Sequence, residues 1–173
     1  MQTFLPFSTF SASAAALDQV RLFNQYNEAL VIYRAVTGAS TAWASHPACE
    51  MWRGFAPALA NYRWCIRQEL LARRKAPETE APDSHLALLD ASNCSVAIPA
   101  WVGYEPFHEA HRRNLARKST AYADRFHCTP DNVYYWPKQI GNNKWALRRK
   151  ATGATKYLPT TEILTKDRKC LPI

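Results

Sequence analysis

Glycine is scarce in this chain, with five among 173 residues and none of them clustered. That excludes the glycine-rich turns with which nucleoside-triphosphate and dinucleotide enzymes cradle phosphate. No G-x-S-x-G occurs, so a nucleophile-elbow hydrolase has no support. The cysteines (Cys49, Cys65, Cys94, Cys128 and Cys170) are odd in number, widely spaced and form no C-x-x-C pair. They read as free, mostly buried thiols in a reducing compartment, not as a disulfide framework. His108 and His111 stand in H-E-A-H, one residue short of the i, i+4 spacing that lets two helical histidines share zinc. His127 and Cys128 are adjacent, which suits two ligands of one ion poorly. Neither a metal nor a cofactor is therefore expected. No stretch approaches the roughly 18 apolar residues of a membrane span. Met1–Phe10 also lacks the basic start of a secretory signal. The expectation is a cytoplasmic protein without a membrane partner.

What the chain does have is positive charge, unevenly placed. The net charge is +8. From Lys138 to Ile173 nine Lys/Arg face only Glu162 and Asp167, so this last fifth alone carries +7. Such a balance points to an anionic partner, nucleic acid before acidic membrane. The length suits one domain with its own core.

Apolar residues recur at three- and four-residue steps in three places, which predicts a mainly α fold. A first helix is expected from a cap at Ser11 or Ser13 to Thr37, stopped by Gly38, with a buried stripe of Leu22, Tyr26, Ala29, Leu30, Tyr33 and Val36. Arg21, Gln25 and Glu28 fall at i, i+4 and i+7 and share another face. A second helix is expected from Pro47 to Arg74, with Met51, Phe55, Leu59, Tyr62, Ile66 and Leu70 buried and Pro57 as a kink or break. Lys75–Ser84 is rich in proline and acid and reads as a loop, followed by a short helix near Leu86–Ala91. Pro106 opens a third helix to Phe126. Beyond Pro130, Trp145–Lys150 and Ala154–Leu158 around Thr152-Gly153 leave room for a short basic hairpin. The expected architecture is one compact helical bundle over residues 1–137 with an extended N-terminal segment, and a basic extension over 138–173.

Basic residues are interleaved with aromatics in the second half. Arg112, Arg113, Arg117, Lys118 and Arg125 line the third helix, where such a face neutralises a run of phosphates. Tyr134, Tyr135, Trp136 and Trp145 are of the type that stacks on bases or wedges between them, unless they are core. Arg148, Arg149 and Lys150 add a basic triplet. Nucleic acid is the partner this pattern favours, and a monomer the expected form.

Several motifs then appear in one order: MQTFLPF, LDQVRLFNQYNEAL (Leu17 to Leu30), HPACEMW (His46 to Trp52), FHEAHRRNLARK (Phe107 to Lys118) and YYWP (Tyr134 to Pro137). Together they resemble the pyrimidine-dimer DNA glycosylases of the endonuclease V type from T-even phages, in a bacterial branch, over about residues 1 to 137. The resemblance implies a compact helical fold with a threaded N-terminus. It implies enzymes that kink the duplex, flip a nucleotide and attack the sugar's anomeric carbon with a terminal amine. It makes Glu28, in R-L-x-x-Q-x-x-E, the assisting carboxylate and Met1 the source of the amine. Arg21 and Gln25 would hold phosphate or the flipped nucleotide, and His46 the backbone of the lesion strand. Lys118 would contact phosphate, and the partner would be double-stranded DNA. Beside the resemblance, the basic and aromatic pattern adds Arg113, Arg117, Trp136, Arg148, Arg149 and Lys150 as candidate DNA contacts.

The chemistry fits these residue types. An α-amine titrates about two and a half units below a lysine, so much of it is neutral and nucleophilic near neutrality. A neighbouring carboxylate stabilises an oxocarbenium-like centre and moves protons. Two features depart from the family pattern: Gln2 is bulky where the phage enzymes expose a small residue, and the segment after Pro137 has no counterpart. The reading is a glycosylase, with or without strand-cleaving lyase activity, that removes a damaged or bulky modified pyrimidine in repair or in defence against phage. The alternatives are a non-catalytic DNA-binding module on the same scaffold, and a helical protein that binds another partner.

Overall fold

The computed structural model describes residues 1–73, 97–159, 161–165 and 170–171. The expected loop at Lys75–Ser84 and the short helix near Leu86–Ala91 lie outside the described residues. Six helices are present among those described, with one small antiparallel sheet, so the fold is mainly α. The chain divides into two compact units where the sequence predicts a single bundle. Met1–Phe4 and Thr9–Pro99 form the first unit; Leu5–Ser8 and Ala100–Ile173 form the second.

The first unit is built on four helices. Each long helix expected from the sequence is two, and the reasons are local. Helix α1 (Phe10–Ala16) starts at Thr9, whose hydroxyl accepts from the Ala12 N–H at 3.4 Å. It ends at Leu17, and α2 (Gln19–Val36) opens anew on Asp18, whose carboxylate accepts from the Arg21 N–H at 2.8 Å. Helix α3 (Pro47–Trp52) stops after one and a half turns because Gly54, at φ +83°, takes a left-handed conformation. Pro57 then sits in the first turn of α4 (Ala56–Ala72), where its missing N–H costs nothing; it starts this helix and does not kink it. Leu22, Tyr26 and Ala29 of α2 and Leu59, Tyr62, Ile66 and Leu70 of α4 are buried as expected, together with Ile32. Arg63 is also buried, its guanidinium 4.0 Å from the Tyr26 ring centroid.

The second unit combines α5 (Glu105–Lys118) and α6 (Thr120–Phe126) with four strands. Ser119 is extended (φ −162°, ψ 136°), which separates the two helices. The strands are β1 (Val133–Gly141), β2 (Lys144–Ala151), β3 (Thr161–Thr165) and β4 (Cys170–Leu171), paired antiparallel in chain order. The hairpin is therefore not the one expected. Residues 144–151 pair with 133–141 on one side and 161–165 on the other, and Thr152-Gly153 lies outside the ladder. The pattern explains the choice: Trp145 and Leu147 alternate on β2 and meet Leu164 of β3 and Pro137 of β1, whereas Ala154–Lys156 offer nothing to bury. Pro137 is tolerated inside β1 because that strand is at the sheet edge. β1 also runs through residue 137, so the basic extension shares a strand with what precedes it.

Candidate active site

In the first unit the N-terminal residues are held by a polar cluster on α2 and α4. Gln2, Thr3 and Gln25 are buried, Gln25 to 1% exposure. The Gln25 side chain makes four hydrogen bonds. Its Oε1 accepts from the Phe4 N–H at 2.7 Å and the Tyr62 hydroxyl at 2.9 Å. Its Nε2 donates to the Gln2 carbonyl at 2.8 Å and to Glu28 Oε2 at 3.2 Å. The same Glu28 oxygen accepts the Gln2 N–H at 2.8 Å. The Tyr62 hydroxyl also reaches the Phe4 carbonyl at 2.9 Å, and the Trp52 indole donates to the Thr3 hydroxyl at 3.0 Å.

These bonds fix the chain's first residues in register against α2. The α-amine of Met1 is one residue, about 3.8 Å of chain, from the N–H pinned on Glu28. Met1 and Glu28 are both half-buried. Burial, and then the Glu28 charge, push the Tyr62 phenol well above its ordinary range, so it stays neutral and donates.

The other residues of the predicted site fall out differently. Arg21, Gln25 and Glu28 are all on α2, as spacing predicts, but Arg21 is paired with Asp18 one turn back. Gln25, expected to face the nucleotide, directs its side chain to the Phe4 N–H, the Gln2 carbonyl, Tyr62 and Glu28. His46 caps α3, its Nδ1 accepting from the Ala48 N–H at 3.1 Å. Sequence reasoning did not find Tyr62 or Trp52 as members of this cluster. Tyr62 read as plain core and Trp52 only as the end of a motif, and only a buried hydroxyl or indole N–H in need of a partner hints at more.

In the second unit, H-E-A-H is a clamp on Leu5. The His108 Nε2 accepts from the Gly103 N–H at 2.7 Å, which leaves Nδ1 to donate to the Leu5 carbonyl at 2.7 Å. His111 Nδ1 accepts from the Leu5 N–H at 3.3 Å. Both rings are fully buried. Burial, then His108 and Arg112, hold the His111 imidazole well below its ordinary range. Arg112 adds a 2.7 Å bond to the Pro6 carbonyl.

Among the predicted DNA contacts on α5, Arg117 and Lys118 are exposed, while Arg113 is paired with Glu109 at 3.2 Å. Trp136 is 8% exposed, with its ring 5.8 Å from that of Tyr134; Trp145 is buried too. Both rings serve as core in this structure and are not presented for stacking on a base. Arg148 and Lys150 share one sheet face and Arg149 lies on the other.

The residues that pin the N-terminus lie within the stretch that a family model recognises. Residues 1–82 match the family model of the pyrimidine dimer DNA glycosylases. The match supports the family seen in the sequence, and DNA glycosylase activity at the level of that family. It takes in Met1, Arg21, Gln25, Glu28 and His46 and ends before α5. No curated protein and no solved structure matches the chain. No described helix is long and apolar enough to cross a membrane.

Proposed function

We propose that this chain is a DNA glycosylase that removes a damaged or bulky modified pyrimidine from duplex DNA, with Glu28 at the reaction centre and the Met1 α-amine as nucleophile. The observation that supports it most is the 2.8 Å bond between the Gln2 N–H and Glu28, inside the stretch matched by the glycosylase family model. A family that attacks sugar with a terminal amine needs that amine delivered beside a carboxylate, and the buried side chains of Gln25, Trp52 and Tyr62 hold the segment that delivers it.

The amine's lone pair adds to the anomeric carbon while the bond from that carbon to the base breaks. The base leaves with the bonding pair and takes up a proton. Opening of the sugar ring then gives an imine, from which elimination can cut the strand. Glu28 Oε2 holds the chain, and Oε1, which accepts no hydrogen bond from the described residues, is left for the chemistry. The carboxylate offsets the positive charge that develops on the sugar and relays the proton. Arg21, His46, Arg113, Arg117 and Lys118 supply contacts to the DNA backbone, and a flipped pyrimidine leaves the stack most cheaply where pairing is already damaged. The substrate is a dimer in repair or a hypermodified phage pyrimidine in defence, and the protein acts as a monomer in the cytoplasm. Incubation with duplexes carrying each class of lesion, scored for alkali-labile breaks, tests the reading. Breaks in lesion-bearing DNA and none in plain duplex are expected. A protein that binds these duplexes and breaks none is a DNA-binding module only.

A further inference from the structure

The sheet of the second unit separates its chemistry between two faces. Along β2, Trp145, Leu147 and Arg149 share one face, and Lys144, Arg148 and Lys150 the other. The pairing extends the division. Tyr135 stands opposite Arg149, and Glu162 opposite Leu147, on the first face. On the second face Lys138 stands opposite Ala146, Trp136 opposite Arg148 and Tyr134 opposite Lys150, and Ile163 and Thr165 of β3 continue it. The first face is core along β2 and β3: Trp145, Leu147 and Leu164 are buried, and Glu162 accepts the hydroxyls of Tyr104 at 2.9 Å and Tyr135 at 3.2 Å. Tyr134 and Trp136 are buried on the second face, so its open cations lie beside and beyond these two rings.

The second face gathers Lys138, Lys144, Arg148 and Lys150, and no described residue of β1–β3 on that face is acidic. Lys138 and Lys144 are exposed. Arg148 and Lys150 are organised around one ring, with the guanidinium carbon 4.6 Å and the ammonium nitrogen 5.3 Å from the centroid of Tyr157. Cations clustered on one sheet face raise the local positive potential and attract an anion laid across them.

We propose that this sheet face binds the sugar-phosphate backbone of duplex DNA, with the four cations on phosphates and Tyr157 holding Arg148 and Lys150 in place. The proposal rests on the reading of the chain as a DNA enzyme, and adds a contact surface beyond the stretch matched by the family model. Dimensions agree: Lys144 to Lys150 spans roughly 20 Å at about 3.3 Å per residue, the length of about six base-pair steps along the duplex axis. Arg149, although between Arg148 and Lys150 in sequence, takes no part, because it lies on the face of Tyr135 and Glu162.

The test is the affinity of the full chain for a short unmodified duplex, measured from about 50 to about 200 mM salt. Each lost phosphate contact lowers the slope of log affinity against log salt by about 0.9, so K138Q/K144Q/R148Q/K150Q should flatten it by up to about 3.6. K138Q/K144Q changes only exposed side chains, spares the Tyr157 cluster and should flatten it by about 1.8, which keeps the test open if the quadruple variant folds poorly. R34Q/R53Q, which removes exposed charge from α2 and from the residue after α3, should leave the slope unchanged. Wild-type slopes in the sheet variants, or equal flattening in R34Q/R53Q, would overturn the proposal while leaving the glycosylase reading intact. A wild-type chain that binds no duplex at all overturns both.

Discussion

Gln25 is the side chain on which the site's geometry depends, and Gln25→Leu removes its hydrogen bonds while keeping most of its volume. Four bonds vanish: those from the Phe4 N–H and the Tyr62 hydroxyl, and those to the Gln2 carbonyl and Glu28. The Tyr62 hydroxyl retains the Phe4 carbonyl, and Glu28 retains the Gln2 N–H. The two backbone groups that depended on Gln25, the Phe4 N–H and the Gln2 carbonyl, would stay buried without that partner. Each such loss costs about 1–3 kcal/mol, so the variant should lose about 2–6 kcal/mol if the segment stays in place. Releasing Met1–Phe4 would relieve the cost, and the cheaper of the two outcomes prevails. Either way the amides of Thr3 and Phe4 should exchange hydrogen much faster than in the wild type, and excision should collapse even where the helices persist. Hydrogen exchange read at those two amides, with a denaturant melt in parallel, checks this. Unchanged protection at Phe4 together with wild-type stability would refute the assignment of Gln25 as the anchor.

The histidine clamp makes stability depend on pH. The folded state keeps His111 neutral below its ordinary range, so the unfolded chain binds more protons and stability rises with pH; the contribution is complete above about pH 6.5 and is lost below it, at no more than about 1.4 kcal/mol per unit. Melts of wild type and His111→Asn across that window should converge toward low pH, and parallel curves would refute the clamp. If the Met1 amine is the nucleophile, borohydride should trap a covalent protein–DNA adduct that peptide mapping places on Met1. An adduct on Lys118 would move the reaction to α5, and abasic product without any adduct would make water the nucleophile.

The helical periodicity located α2, α4 and α5 and the central buried residues of α2 and α4, because a stripe at three- and four-residue steps depends only on which face meets the core. Leu30, Tyr33 and Val36, expected in the same stripe, are only half-buried. The breaks at Asp18, Gly54 and Ser119 were harder to read, since each turns on a local cap or one backbone angle within a continuous apolar pattern. The face shared by Arg21, Gln25 and Glu28 followed from spacing alone. What those side chains touch did not, because the partners of Gln25 are residues 2, 4 and 62, and no local pattern reports a contact across so many positions. The histidines show the same limit: their spacing argued against zinc, but only the fold reveals that both hold the Leu5 peptide. The strand pairing was misjudged because Tyr134–Trp136 read as an aromatic cluster ended by proline. An edge strand, which tolerates proline, is identifiable only once the sheet order is known.

The most direct test of Glu28 is the single-turnover rate of base release from a lesion-bearing duplex by wild type and Glu28→Gln. The carboxamide oxygen can still accept the Gln2 N–H, so the N-terminal segment should keep its place and DNA affinity should be unchanged. Loss of the negative charge should slow release by on the order of a hundredfold or more, the usual scale of a lost acid–base group. Equal rates in the two proteins would contradict the account.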